Sequence, residues 1–223
     1  IDCLARGEDL GRSLLLAGDF IEDGLFTVPA SAGVSVPLEL PDLFLNQFSM
    51  SLFNLLYYRR VRPLVRQRTV NLFAFFYPLD AIGHWNRVYG KRGFTQYQLV
   101  LPKEASFQGL REILNLVARS GFGAFLGTLK LFGRENDNFL SFPLEGYTLA
   151  MDFKIEPGLL PFLGELDRVV LAHGGRLYLT KDVRMPGAVF RRGYPRWHKF
   201  VELRQKMGLA PKFNSCQSRR LEI

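Results

Sequence analysis

The stretch from Gly146 to Arg184, GYTLAMDFKIEPGLLPFLGELDRVVLAHGGRLYLTKDVR, changes its hydrophobic period twice, and few folds accommodate that. Tyr147, Leu149, Met151, Phe153 and Ile155 alternate with Thr148, Ala150, Asp152 and Lys154, the period of a strand with one buried face. From Leu159 to Ala172 the period becomes helical. Leu159, Phe162, Leu163, Leu166, Val169 and Val170 share a face, and His173-Gly174-Gly175 supplies the stop. Arg176 to Lys181 then alternates again. The sequence therefore predicts strand, helix and strand over 146–155, 158–173 and 176–181. Lys181 and Asp182 close the last strand, where a cation and a carboxylate either carry chemistry or simply end a strand. Spacing alone leaves both readings open.

The residues before this stretch repeat its logic. Phe94 to Leu101 reads as a strand with Gln96 and Gln98 on one face and Tyr97 and Leu99 on the other. Two amides on one face suit hydrogen bonding to a polar ligand such as a sugar, and equally suit the wet face of a sheet. A helix follows over 104–119, with Phe107, Leu110, Ile113, Leu114 and Val117 on one side and Gly121 and Gly123 at its end. Residues 125–132 form the next strand and carry Lys130. The GFGAFLG glycines follow a helix and enter a strand, the reverse of a dinucleotide-binding loop, so they read as a turn. A polar loop covers 134–145. The resulting order, βαββαβ, is the ferredoxin-like split unit over 94–181. It predicts the α+β class: an antiparallel sheet with two helices on one face and the other face free to cover something. Fold at this level does not give function.

The flanks say less. Residues 1–68 read as an extension and 69–223 as a domain containing the core, a last helix and a tail. Asp23-Gly24 is a turn signal, and prolines 29, 37 and 41 mark extended chain. Asp42 is placed to cap a helix over 43–58 in which Leu45, Phe48, Leu52, Leu55 and Leu56 share a face. Arg59, Arg60, Arg62, Arg66 and Arg68 follow. Such a pairing, spanning 43–68, suits docking on an anionic membrane surface. It also suits a core helix with a solvated connection, or a single-stranded nucleic acid. Thr69 to Phe76 is a strand candidate, and Asp80 to Tyr89 a short helix carrying Trp85. Pro195 opens a last helix with Trp197, Phe200, Val201 and Met207 as apolar positions and Gly208 as its end.

Composition bounds the partners. The net charge of +8, from 29 basic against 21 acidic residues, suits nucleic acid, a membrane surface or a phosphorylated substrate. Cys3 and Cys216 make neither a disulfide framework nor a zinc site, and His84, His173 and His198 lack ligand spacing, so no metal is predicted. There is no signal peptide and no apolar run of ~18 residues. The expected location is cytoplasmic or peripheral at a membrane. The chain starts at Ile1 without an initiator Met and reads as part of a longer chain.

Short motifs then occur in one order: FYPLD and HWNRVYG (76–80, 84–90), GFTQYQLVLP (93–102), KLFG (130–133), LSFPLEGY (140–147), ELDRVVLAHGGRLYLTKDVR (165–184), YPRW (194–197) and SRRLE (218–222). Together they resemble the C-terminal half of the flavin-linked oxidases of the vanillyl-alcohol oxidase superfamily, and within it those acting on a polyprenyl-phosphate ribose. The resemblance implies an FAD-dependent enzyme whose FAD-binding domain lies upstream of residue 1, with this portion covering the flavin ring as a substrate domain. It implies oxidation of a sugar hydroxyl by hydride transfer to flavin, with a partner reductase completing an epimerisation. Lys181 matches the family's active-site lysine beside flavin and substrate, and Tyr178 a flavin-contacting tyrosine. Lys130 and Gln98 match residues lining the substrate pocket, with Gln96 on the same strand face. The sequence departs from the family at three pocket positions: Ala150 replaces a cysteine, Thr148 an asparagine and Phe76 a tyrosine. These departures keep other substrates open, namely an aldonolactone, a sterol or another polyol. A basic ferredoxin-like nucleic-acid-binding module is a further alternative. The chain lacks the aromatic RNP1 pattern, and nucleic acid is not expected as a partner.

Overall fold

The computed structural model describes residues 1–21, 33–41, 44–61, 67–77 and 81–223. The Asp23-Gly24 turn signal, Pro29, the Asp42 cap, Arg62, Arg66 and residues 78–80 lie outside the described residues. The chain divides into two compact units, Arg12–Phe94, and Ile1–Gly11 together with Thr95–Ile223. This division falls at 94/95, later than the 68/69 boundary drawn from sequence.

In the Arg12–Phe94 unit, strand β1 (Val34–Ser35) pairs in parallel with β2 (Ile82–Gly83). Helix α1 (Gln47–Arg59) starts later than the predicted residue 43, because Asn46 caps it. Asn46 Oδ1 accepts from the Ser49 amide at 3.0 Å, and Ser49 Oγ accepts from the Asn46 amide at 3.1 Å, a reciprocal capping box. Only Met50 of this helix is buried. The predicted apolar face stands out instead: Phe48 is 79% and Leu56 60% exposed. The strand expected over 69–76 is also corrected. Helix α2 (Leu72–Phe76) forms there because Asn71 accepts from the Ala74 amide at 2.8 Å and closes a helical turn. A short apolar run does not distinguish strand from helix by period, and the cap decides. Trp85–Tyr89 is a 3-10 helix rather than an α-helix, with Tyr89 stacked on Phe94 at 4.5 Å. Among the described residues no helix is long and apolar enough to cross a membrane.

The other unit contains β3 (Phe94–Pro102), α3 (Lys103–Ser120), β4 (Ala124–Phe132), β5 (Gly146–Lys154), α4 (Leu159–Ala172) and β6 (Arg176–Leu177). Helices α5 (Gly187–Gly193), α6 (Trp197–Lys206) and α7 (Cys216–Leu221) follow. The four strands form one antiparallel sheet in the order β4-β5-β3-β6, the ferredoxin-like arrangement. Tyr97, Leu99 and Leu101 of β3 and Leu149, Met151 and Phe153 of β5 enter one buried cluster with Ile113, Val117, Leu163 and Leu166 of the helices. One sheet face is thereby committed to α3 and α4. Gly121, at φ +87°, ends α3 in the left-handed conformation that glycine takes without a steric penalty. Gly146 meets β3 so closely that a Cβ there would run into the Leu101 carbonyl.

The last strand is shorter than the predicted 176–181. The ladder stops after Leu177, and residues Leu179–Lys181 tighten into a 3-10 turn, with the Lys181 amide donating to Tyr178 O at 3.1 Å. The cause lies just beyond. Asp182 Oδ1 accepts from the amides of Arg184 and Met185 at 2.9 and 2.7 Å, a side-chain alternative to the sheet ladder. Helix α7, absent from the sequence reading, is capped by Ser215 and holds that turn from outside.

Candidate functional site

Alternation along β3, β4 and β5 sends a second set of side chains to the face away from α3 and α4. Gln96 and Gln98 come from β3, and Thr148, Ala150 and Asp152 from β5. Register on β4 sets Lys130 opposite Thr148 and Thr128 opposite Ala150. These are polar or small residues, as a face that meets something other than a helix requires.

Gln98 is fixed at both ends. Its carbonyl accepts from the Tyr178 amide at 2.9 Å, and its Nε2 donates to Thr148 Oγ1 at 3.1 Å. The Thr148 hydroxyl donates onward to Leu99 O at 2.7 Å, so this buried threonine is engaged inside the sheet. Tyr178 stacks on Phe142 with ring centroids 4.4 Å apart, and Phe142 meets Phe132 edge-on at 5.8 Å. The 134–145 loop thus packs on one end of the polar face. Arg176 Nη1 donates to Ser141 O at 2.6 Å, and Arg196 Nη2 donates to Asn136 O and Asn138 O, pinning that loop.

Gln96, Gln98, Tyr178 and Lys181 line one pocket at the β6 edge of the sheet, together with Asp182 and Arg184. Lys130 is exposed on β4 and Ala150 half-buried on β5, outside that lining. Phe76 belongs to the other unit, on α2, and is 54% exposed. The backbone that presents Lys181 is held by α7. Gln217 Nε2 donates to Leu179 O at 2.7 Å, Arg220 Nη1 donates to Val183 O at 2.6 Å, and Arg220 pairs with the Asp182 carboxylate.

Asp152 is the residue the sequence reading passed over. It is 2% exposed on the polar face, and Gln96 donates a hydrogen bond to its carboxyl. Burial raises its pKa, and the Gln96 bond and the charge of Lys181 only partly offset that. Oδ2 has no hydrogen-bond partner among the described residues. The sequence signal is an aspartate between the core residues Met151 and Phe153. Chemically the face offers a cation, two amides and a desolvated carboxylate within one small area.

No family model matches the chain. Along its whole length it is 37% identical, over 231 aligned positions, to decaprenylphosphoryl-beta-D-ribose oxidase of Mycolicibacterium smegmatis, and it matches the C-terminal part of that protein. It is 28% identical, over 237 aligned positions, to an uncharacterized protein in mprA 5'region of Streptomyces coelicolor. The chain spans about half the length of the first relative and 64% of the second.

Proposed function

We propose that this chain is the substrate-covering part of an FAD-dependent oxidase that acts on a sugar hydroxyl, the ribose of a polyprenyl phosphate being the substrate class that fits best. The observation that carries this reading is the convergence of Gln96, Gln98, Tyr178 and Lys181 on one pocket at the β6 edge of the sheet. The similarity to an oxidase named for a decaprenylphosphoryl ribose supports it.

The donor set fits a flavin. A lysine ammonium suits a ring that gains negative charge on reduction, and a tyrosine braced against Phe142 supplies a rigid surface beside it. When bound, the flavin supplies the two-electron acceptor. Lys181 and Tyr178 would hold its exposed edge, while the rest of the FAD is bound by chain outside this sequence. Gln96 and Gln98 donate to sugar oxygens, and Lys130 answers the phosphate. A reductase partner that returns the ketone to the epimeric alcohol completes the reading. The exposed Phe48, Leu52, Phe53 and Leu56 of α1, next to Arg59 and Arg60, suit the anionic membrane on which a polyprenyl substrate resides.

A second reading keeps the flavin and changes the polyol, to an aldonolactone or a sterol. It is motivated by Ala150, whose methyl group offers no hydrogen bond, and by Thr148, whose hydroxyl is engaged by Leu99 and Gln98.

The test is anaerobic bleaching of flavin in the flavin-loaded full-length protein across a panel of polyprenyl-phosphate ribose, aldonolactone and sterol. Bleaching by the ribose lipid alone is expected, and bleaching only by another member would move the reading to the second substrate class. The Lys181→Ala protein should bleach far more slowly. A parent-like rate would remove Lys181 from the chemistry.

A further inference from the structure

We propose that Asp152 is the hydroxyl acceptor of this site: its Oδ2 receives the hydrogen bond of the substrate alcohol and, on oxidation, its proton. The inference rests on the flavin-oxidase reading above and assigns a role to a residue which that reading leaves out.

The geometry carries it. A carboxylate buried to 2% exposure is costly unless its oxygens are satisfied. Gln96 supplies one hydrogen bond, and Oδ2 has no partner among the described residues. The charged and polar groups facing Asp152 are few. Gln96 comes from β3 and Lys181 from the 3-10 turn after β6. Lys154 lies two residues on along β5, and register sets the apolar Leu126 opposite on β4. A desolvated acceptor beside two residues of the pocket lining is what a ligand hydroxyl satisfies. It also rejects a ligand that lacks one, because the carboxylate would then stay unpaired.

The step balances. The alcohol O–H bond breaks, and its electron pair becomes the second bond of the carbonyl. The C–H bond on the same carbon breaks, and its electron pair leaves as hydride to a flavin-class two-electron acceptor. The proton rests on Asp152 Oδ2. The charge of Lys181 lowers the Asp152 pKa without cancelling the rise from burial, so the acceptor is available above that raised pKa and lost below it.

Three readouts on the flavin-loaded full-length protein test this with polyprenyl-phosphate ribose. In the first, Asp152→Asn should lower the rate of substrate-driven flavin reduction by about 10²–10⁴-fold and flatten its rise with pH. In the second, Kd for the substrate, read from perturbation of flavin absorbance, should change by no more than about tenfold. The third needs no variant. On reduction by substrate, the parent should gain an infrared band of a protonated carboxyl that shifts with 13C-aspartate labelling, and it should not gain it on photoreduction. Asp152→Glu, which keeps a carboxylate, should recover part of the rate and the pH profile. An active parent alongside an Asp152→Asn protein that keeps its rate and pH profile overturns the assignment alone, as does a parent spectrum without the band. A parent whose flavin no sugar alcohol bleaches overturns the assignment and the flavin-oxidase reading together.

Discussion

Arg184 grips Asp167 through two hydrogen bonds of 2.6 Å, Nη1 to Oδ2 and Nη2 to Oδ1, and the two side chains are only 15% and 2% exposed. Tyr97 of β3 donates to the same Oδ1 at 3.0 Å, so one carboxylate on α4 ties the sheet to the segment that carries Lys181. Burial, and then the Asp167 charge, hold the Tyr97 phenol well above its ordinary pKa, so it remains a donor at neutral pH. Burial alone would lower the Arg184 pKa, but the Asp167 hydrogen bonds and charge outweigh it and leave the net shift upward.

Breaking this fork from one side leaves a buried charge without its partner. Asp167→Asn should therefore cost about 3–5 kcal/mol in urea denaturation. Replacing both partners by apolar residues, Asp167→Leu with Arg184→Met, should recover much of that loss. If the double variant were as unstable as the sum of the singles, the fork would be contributing packing rather than charge pairing.

Asp152 makes stability depend on pH with a sign opposite to that of a salt-bridged carboxylate. Burial raises its pKa, so the folded state prefers the protonated form. The stabilisation is fully present below the ordinary aspartate value of about 3.9 and is lost as pH rises through the raised folded value. Asp152→Asn, which stays neutral and can still accept from Gln96, should remove this dependence. Urea midpoints measured from about pH 4 to 8 should place the variant at or above the parent at the alkaline end. A variant markedly less stable than the parent at that end would show that the charged form of Asp152 is the stabilising one.

The frame of the larger unit was legible because each element announces its own period. Leu149, Met151 and Phe153 alternate, Leu159, Phe162, Leu163 and Leu166 recur helically, and the βαββαβ order gives the antiparallel sheet. The end of β6 was not legible. Asp182 turns back on the amides of Arg184 and Met185, and its other carboxylate oxygen meets Arg220, 38 residues later, a contact that no local pattern encodes. Asp152 was hidden for a related reason. Alternation assigns any polar strand residue to a wet face, and only the folded sheet shows this one buried beside Gln96. In α1 the period correctly gives an apolar stripe, but a period does not say whether anything covers it. Gln96, Gln98 and Lys181 stand out in the sequence by their positions, and Tyr178 by the family resemblance. Their convergence on one pocket is a property of the sheet edge.

The two cysteines should behave oppositely toward alkylation. Cys3 is 1% exposed, and a Cβ at Gly127 would lie 2.6 Å from its Sγ, so the thiol sits tight against β4. Burial pushes its pKa up to about 12, which leaves almost no thiolate near neutral pH. Cys216 is exposed at the start of α7. Iodoacetamide at neutral pH, followed by peptide mass mapping, should modify Cys216 readily and Cys3 only after denaturation. Native modification of Cys3 would mean that residues 1–11 do not hold their place against β4.

Arg220 offers the sharpest test of how Lys181 is presented. Its guanidinium spans the turn after Lys181, pairing with the Asp182 carboxylate and donating to Val183 O at 2.6 Å and Met185 O at 3.2 Å. The Asp182 side chain is 5% exposed, so water replaces the lost guanidinium poorly. Arg220→Gln should cost about 1–3 kcal/mol locally, which corresponds to roughly 5–150-fold faster amide exchange where the turn opens. The Lys181 and Asp182 amides, bonded only to Tyr178 O and Leu179 O within the turn, should show that acceleration. The amides in the middle of α4 should keep their parent protection. Hydrogen–deuterium exchange resolved to these peptides separates the outcomes. Uniform acceleration would mean that α7 supports the whole unit, and an unchanged turn would mean that Asp182 and its two backbone donors hold Lys181 without Arg220.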